Sequence, residues 1–173
     1  FTSTICAKLD QIAYDICHEQ LPLLGTQKPA EITLLRGSCF DILPRLGTES
    51  FDGLITSPPY CNRYDYRRTY ALELAMMGIG ENEIRTLRQA MLSCTVENRE
   101  KEELWNRLNR ARLSLATDAF QSQKLINLIF SYLDQCREDG LLNNNGVPRM
   151  VRNYFRELTV VIFECARLLK PGA

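Results

Sequence analysis

Apolar side chains recur along the chain in two patterns, and these patterns predict its secondary structure. A spacing of three or four residues predicts a helix over about 4–20 and a short helix over 39–46, which Pro44 kinks or ends. Short apolar runs bounded by turn residues predict strands over 31–36 and 51–56. Two strands separated by a small helix are typical of a βαβ unit in a parallel sheet.

The rest of the chain is predicted to be mostly helical. The long apolar repeat from about 100 to 139 indicates one helix, or two joined near 121–123, with Gly140 as a natural stop. A turn at 143–146 comes before the last helix, which has Pro148 in its first turn. The predicted helices of this region cover 70–77, 84–92, about 100–139 and 148–168.

Composition and charge limit the functions that the chain can have. Its 173 residues, 45% hydrophobic and 24% charged, are enough for one domain with a buried core. The 21 basic and 21 acidic residues cancel, so any contact with nucleic acid must come from local patches. No run is long enough to span a membrane and the N-terminus lacks the form of a signal peptide, so the expected location is cytoplasmic.

The seven cysteines and the single histidine predict no metal site. The cysteines are widely scattered with no Cys-x-x-Cys pair, and His18 has no ligand partner at close spacing. Most of the cysteines fall inside apolar patterns. This placement predicts small core residues in a reducing compartment.

The residues that carry chemistry follow the second predicted strand, at Thr56-Ser57-Pro58-Pro59-Tyr60. Each proline lacks an N–H and pushes the residue before it into an extended conformation, so the backbone after Ser57 is stiff and its carbonyl oxygens are unsatisfied. At the carboxyl end of a parallel strand, these oxygens face the crevice where such sheets bind ligands. The Ser57 hydroxyl and the proline carbonyls can accept both hydrogens of an exocyclic amine, and Tyr60 can stack on the base that carries it.

Ser-Pro-Pro-Tyr after an apolar strand resembles the catalytic motif of amino-methyltransferases that modify cytosine N4 or adenine N6 in DNA. The serine form is most similar to the cytosine-N4 group. Residues 37–43 resemble the family's glycine turn and short helix before the catalytic strand, and residues 163–172 resemble its later helix and Lys-Pro-Gly turn. The clear similarity covers 31–70 and 150–173.

The resemblance implies an α/β chain with a partial Rossmann-like methyltransferase fold. Its parallel strands would lie near 31–36 and 51–56, followed by a large, mostly helical insertion. The chain would be a single domain or a fragment over 1–173. Its catalytic α/β part would cover about 30–70 and 147–173, and the helical insertion about 71–146.

The implied activity is S-adenosylmethionine-dependent methylation of an exocyclic amine in DNA, on a base flipped out of the duplex, where its amine is accessible. Cytosine N4 is the first expectation, in a restriction-modification system with an endonuclease partner. Adenine N6, a protein glutamine amide and an inactive remnant are the alternatives. The implied catalytic residues are Ser57, Pro58, Pro59 and Tyr60, and the implied cofactor contacts are Gly37, Ser38 and Thr56. Cys61 is not expected to act, because methylation of an exocyclic amine needs no nucleophilic thiol.

The segment after the motif predicts a DNA contact, through Arg63, Tyr64, Tyr66, Arg67 and Arg68. Basic and aromatic side chains can bind phosphates and fill the gap that a flipped base leaves. The alternative is a solvated loop in which Asp65 pairs with an arginine.

The sequence also departs from the family. The Phe-x-Gly-x-Gly cofactor loop is absent, and Ser38 stands where relatives commonly carry an acidic residue. Either this loop lies outside the segment or the chain is a degraded copy. In both cases the segment alone is not expected to be a working enzyme.

Overall fold

The computed structural model describes residues 2–18, 31–62, 69–101, 105–106 and 108–173. The chain divides into two compact units, 1–35 and 36–173. In the first unit, helix α1 (Thr2–His18) confirms the predicted N-terminal helix within two residues at each end. Residues 31–35 have no regular secondary structure, and Ile32 and Leu34 are exposed. The described residues do not form the strand predicted over 31–36, and this strand stays a prediction.

The second unit is mostly helical in its described residues. The predicted helix pair near 121–123 is confirmed, because a break at Ser122 and Gln123 separates two helices. Gly140 follows its helix with φ of +67°, in agreement with the predicted stop, and Gly78 also follows a helix, with φ of +74°. The helices are α2 (Cys39–Ile42) with a 3₁₀ turn (Leu43–Arg45), α3 (Ala71–Met76), α4 (Glu81–Ala90), α5 (Arg110–Gln121), α6 (Lys124–Glu138) and α7 (Val147–Leu168).

The helical repeat predicted from about Glu100 is interrupted before α5, because Trp105 and Asn106 are helical and residues 108–109 are not. Helix α5 begins at Arg110, and the Asn109 side chain caps it by accepting hydrogen bonds from the N–H groups of Ala111 (3.1 Å) and Arg112 (3.2 Å). Asparagine in an extended conformation is a strong N-cap. The apolar spacing continued across this cap, which hid the boundary.

Helix α7 is the central element of the second unit. Its buried residues include Met150, Tyr154, Val160 and Leu168, and it packs against α5 and α6. Val160 lies in one buried cluster with Leu108 and Ala116 of the α5 region. Tyr154 lies in another with Phe40, Leu92 and Cys94, which we call the Tyr154 cluster. Among the described residues, none of the helices has the length and hydropathy of a membrane-spanning segment.

The residues of the second predicted strand make one parallel β-bridge in the described structure, between Phe51 and Leu169. The Phe51 N–H donates to the Leu168 carbonyl (3.0 Å), and the Lys170 N–H donates to the Phe51 carbonyl (2.9 Å). Ile55 of this predicted strand is fully exposed in the described structure. Burial in a parallel sheet needs neighbouring strands and covering helices. The Rossmann-like sheet itself stays a prediction.

The cysteines are less buried than their apolar surroundings predicted. Cys94 and Cys136 are core residues, and Cys39, Cys61 and Cys165 are half-buried. Cys6 and Cys17 are exposed on α1, so the prediction of a core position is wrong for this pair.

Candidate functional site

The Ser-Pro-Pro-Tyr sequence lies on residues 51–60, which we call the motif segment. Its first residue pairs with Leu169, just after α7, and its Pro59 carbonyl accepts a hydrogen bond from the Tyr154 hydroxyl (2.9 Å) near the start of the same helix. Residues 51 to 59 in an extended conformation cover about 26 Å. The helical rise from Tyr154 to Leu168 is about 21 Å. The motif segment therefore runs along α7 in the opposite direction and is held near both ends.

Arg167 holds the loop that leads into the motif segment. Its guanidinium donates hydrogen bonds to the carbonyls of Leu43 (2.8 Å) and Leu46 (3.0 Å) and to the Thr48 hydroxyl (3.0 Å). Glu164 accepts from Arg167 Nε (3.0 Å). Glu164 also accepts a hydrogen bond from Arg112 of α5 (2.8 Å). Charged hydrogen bonds therefore link the loop to α7 through Arg167, and α7 to α5 through Glu164.

The Tyr154 cluster holds the other end of the motif segment. Tyr154 is buried, and the half-buried Cys61 packs against the same cluster. Tyr60 lies between these two attachments and remains 69% exposed. The backbone on both sides of Tyr60 is therefore fixed while its ring is presented outward.

The four predicted catalytic residues form one continuous stretch of this segment. Ser57 and Pro58 are exposed, Pro59 is half-buried and Tyr60 is exposed. The stretch presents a hydroxyl, proline carbonyls and an aromatic ring on the surface. These are acceptors for an amine and a platform for a planar ring. The catalytic roles themselves stay predictions.

The predicted cofactor residues lie in two places. Gly37 and Ser38 come before α2, and the exposed Thr56 lies on the motif segment. The Ser38 hydroxyl donates to the Ala90 carbonyl at the end of α4 (2.9 Å), which leaves its oxygen able to accept a hydrogen bond. A Cβ at Gly37 would lie 3.1 Å from Ile42 Cδ1, so a side chain there would crowd α2.

These three residues fit part of a nucleoside-cofactor site. The Ser38 and Thr56 hydroxyls can accept from donors on a ribose or an amino group. No hydrogen bond among the described residues joins Thr56 to Gly37 or Ser38. A glycine-rich loop that would surround such a cofactor does not occur in this sequence. Their contact with a cofactor stays a prediction.

The predicted DNA contacts Arg63, Tyr64, Tyr66, Arg67 and Arg68 lie outside the described residues. Their role stays a prediction. Across the described ranges, no group of three or more His, Cys, Asp or Glu side chains is arranged to hold a metal ion.

Sequence reasoning missed a buried polar loop at 91–101 that packs on α7. Ser93 donates to Glu157 from its N–H (2.8 Å) and its hydroxyl (2.6 Å), and Lys101 Nζ lies 2.8 Å from the same carboxylate. Asn98 accepts from the N–H of Thr95 (3.1 Å) and closes the loop on itself. One signal was available in the sequence. Glu157 and Glu164 are seven residues apart and therefore lie on one face of α7, the buried face.

Burial keeps Cys61 in its thiol form. Removal from water, with a smaller contribution from Cys94, raises the pKa of Cys61 to about 11. A thiol with this pKa is about 0.1% thiolate at pH 8, and the thiolate is the reactive form. We expect iodoacetamide at pH 8 to label the exposed Cys6 and Cys17 well before Cys61, as measured by peptide mass spectrometry. Labelling of Cys61 at an equal rate would contradict the burial of its side chain.

Three curated relatives are similar to this chain. The Type II methyltransferases M.AvaI of Nostoc sp. and of Anabaena variabilis are each 47% identical over 161 residues, which is 93% of this chain and 32% of the relative. The Type II methyltransferase M.BsoBI of Geobacillus stearothermophilus is 45% identical over 145 residues, which is 81% of this chain and 28% of the relative. The chain thus spans about a third of the length of these relatives. The names of these relatives support the expected DNA methyltransferase family. No family model and no solved structure matches this chain.

Proposed function

We propose that this chain is the base-binding part of an S-adenosylmethionine-dependent DNA methyltransferase that methylates cytosine at N4. The observation that carries the proposal is 47% identity to Type II methyltransferases over 93% of the chain. The exposed Ser-Pro-Pro-Tyr stretch, held on both sides by α7 and the Tyr154 cluster, supports the choice of an exocyclic amine as substrate.

In this proposal the motif segment binds and orients the amine of a flipped base. The Ser57 hydroxyl and the Pro58 carbonyl accept the two amine hydrogens, which directs the nitrogen lone pair away from the protein. The Tyr60 ring, which is 69% exposed, stacks on the base. Positioning and fixed dipoles then supply the rate acceleration without a covalent intermediate.

Bound S-adenosylmethionine would supply an electrophilic methyl group on a sulfonium sulfur, a leaving group that would take the electrons of the carbon–sulfur bond. The chain's own contribution is to hold the nucleophile in line. The Ser57 oxygen accepts a hydrogen bond from the amine N–H, and after transfer the methylated nitrogen releases this proton to solvent water, to which Ser57 is exposed. Gly37, Ser38 and Thr56 would contact the cofactor from this side, and residues outside this chain would complete its site.

We also propose that the catalytic part of the chain belongs to a Rossmann-like sheet. The parallel bridge between Phe51 and Leu169 supports this, because α7 is the last helix of the connection between two parallel segments and leads directly into the second, as the helix of a βαβ crossover does. The helices between the motif and α7 correspond to the predicted insertion over about 71–146. The proposed setting is a restriction-modification system with an endonuclease partner, in keeping with relatives named Type II.

The test is nucleoside mass analysis of DNA from cells that produce the intact protein and have no DNA methylation of their own. N4-methylcytosine is expected, and cells producing the Ser57→Ala variant serve as the matched control. N6-methyladenine in its place would contradict the cytosine assignment. The absence of both modified nucleosides would overturn the DNA methyltransferase proposal and favour a remnant or a protein substrate.

The proposed DNA contact predicts a change in salt dependence. Replacing Arg67 and Arg68 by alanine removes two phosphate-binding cations, so the slope of log K against log salt concentration should become shallower by about 2. Fluorescence anisotropy with a labelled duplex at several salt concentrations measures the slope. Replacing the exposed Arg85, which pairs with Glu81 on α4, provides the control. An unchanged slope would assign Arg67 and Arg68 to a solvated loop.

A further inference from the structure

The Tyr154 hydroxyl binds the backbone of the proposed catalytic stretch from within the protein core. It donates to the Pro59 carbonyl at 2.9 Å, and the Tyr154 side chain is 7% exposed. Its ring packs with Phe40, Leu92 and Cys94, and it meets the Phe155 ring edge-on with centroids 5.2 Å apart. The donor is therefore rigidly placed before any substrate arrives.

Fixing the Pro59 carbonyl also restricts the two groups beside it. The peptide unit between Pro59 and Tyr60 is planar, so the hydrogen bond sets the direction in which the Tyr60 backbone continues. The Pro59 ring locks φ near −65°, so one free torsion, ψ of Pro59, separates this peptide plane from the plane that contains the Pro58 carbonyl. A single hydrogen bond thereby restricts the orientations open to both the proposed amine acceptor and the proposed stacking ring.

We propose that Tyr154 is a positioning residue for methyl transfer, acting through the Pro59 carbonyl on Pro58 and Tyr60. This inference rests on the proposed function of the motif segment. The ring of Tyr154 fills the Tyr154 cluster, and phenylalanine would fill the same space. The hydroxyl adds the hydrogen bond to Pro59. Tyr154→Phe therefore separates the orienting role from the packing role.

The expected result is a loss of rate without a loss of binding. In the intact protein, Tyr154→Phe should lower the single-turnover rate of methyl transfer at saturating DNA and cofactor by about 10-fold, close to the net value of one hydrogen bond. The Kd for the DNA duplex should stay within about twofold. The unfolding midpoint should fall by no more than a few degrees, because the ring is retained.

The control is Tyr132→Phe, which removes the same hydroxyl from an exposed tyrosine on α6 and should leave all three measurements unchanged. Rates are expressed per active site, counted by titration with labelled DNA, so a smaller folded fraction does not lower them. A wild-type rate per active site in Tyr154→Phe would overturn the positioning role. So would weaker DNA binding with an unchanged rate.

The wild-type protein is assayed first, which separates the two proposals. If the intact wild-type protein transfers no methyl group to DNA, the proposed function fails and the role of Tyr154 fails with it. If the wild-type protein is active and Tyr154→Phe equals it, the role of Tyr154 fails alone.

Discussion

Replacing Ser57 by alanine is expected to lower methyl transfer by about 10²-fold, because removing one fixed hydrogen-bonding partner of a reacting group typically has an effect of this size. Without the hydroxyl, one amine hydrogen loses its acceptor, and the nitrogen lone pair is no longer directed at the methyl group. Ser57 is exposed on the motif segment, so its loss leaves no buried polar group unsatisfied. Single-turnover transfer of a labelled methyl group to duplex DNA by the intact protein measures the rate.

The matched control is Ser114→Ala, the same change at an exposed position of α5. It should transfer methyl groups at the wild-type rate. Thermal unfolding of both variants should match the wild-type protein within about two degrees, since exposed substitutions change stability little. Unchanged turnover in Ser57→Ala would contradict the role proposed for its hydroxyl, and a large fall in stability would show that the serine supports the fold.

The helices of this chain could be predicted from sequence because their apolar residues recur at helical spacing and their ends carry strong local signals. Gly78 and Gly140 adopt the left-handed conformation that glycine allows, and Gly140 ends its helix as expected. The boundary at Asn109 was missed, because the cap depends on a side-chain hydrogen bond and not on apolar spacing. The periodicity also extended helix α4 to Leu92, which lies beyond its end at Ala90.

The motif could be identified from residue types, whereas the groups that hold it could not. Ser57 to Tyr60 are adjacent in sequence, so their chemistry can be read directly. The hydrogen bond from Tyr154 to Pro59 joins residues 95 positions apart, and that of Arg167 to Leu43 joins residues 124 apart. No local pattern specifies such pairs. The exposure of Ile55 could not be predicted either, because an apolar run indicates burial and carries no information on whether other elements cover it.

The loop at 91–101 supplies the second large expected effect, on stability. The side chains of Lys101 and Glu157 are 8% and 2% exposed, and their Nζ and Oε2 atoms are 2.8 Å apart. Glu157 also accepts both hydrogen bonds from Ser93, and the Lys101 ammonium also donates to the Met91 carbonyl. Each charge has therefore been removed from water and is compensated by fixed partners, which makes either charge costly to leave alone.

Glu157→Ala is expected to lower the free energy of unfolding by about 3–5 kcal/mol, because it leaves the Lys101 ammonium buried without its carboxylate and Ser93 without its acceptor. Glu157→Gln keeps one acceptor oxygen for Ser93 but removes the charge, so its loss should be smaller. Guanidinium unfolding followed by circular dichroism measures each value. The exposed Glu138→Ala on α6 should stay within about 0.5 kcal/mol of the wild-type protein.

The pairing itself is tested by adding Lys101→Met to Glu157→Gln, which removes the unpaired ammonium and keeps an apolar stem against the Phe40 ring. Lys101 Nζ lies 5.7 Å from the centroid of that ring, so a thioether of similar length can occupy the space. The double variant should be more stable than Glu157→Gln alone, because the buried uncompensated charge is gone. If the two substitutions add their losses independently, the ion pair contributes nothing to the attachment of the loop, and the hydrogen bonds from Ser93 to Glu157 hold the loop on α7.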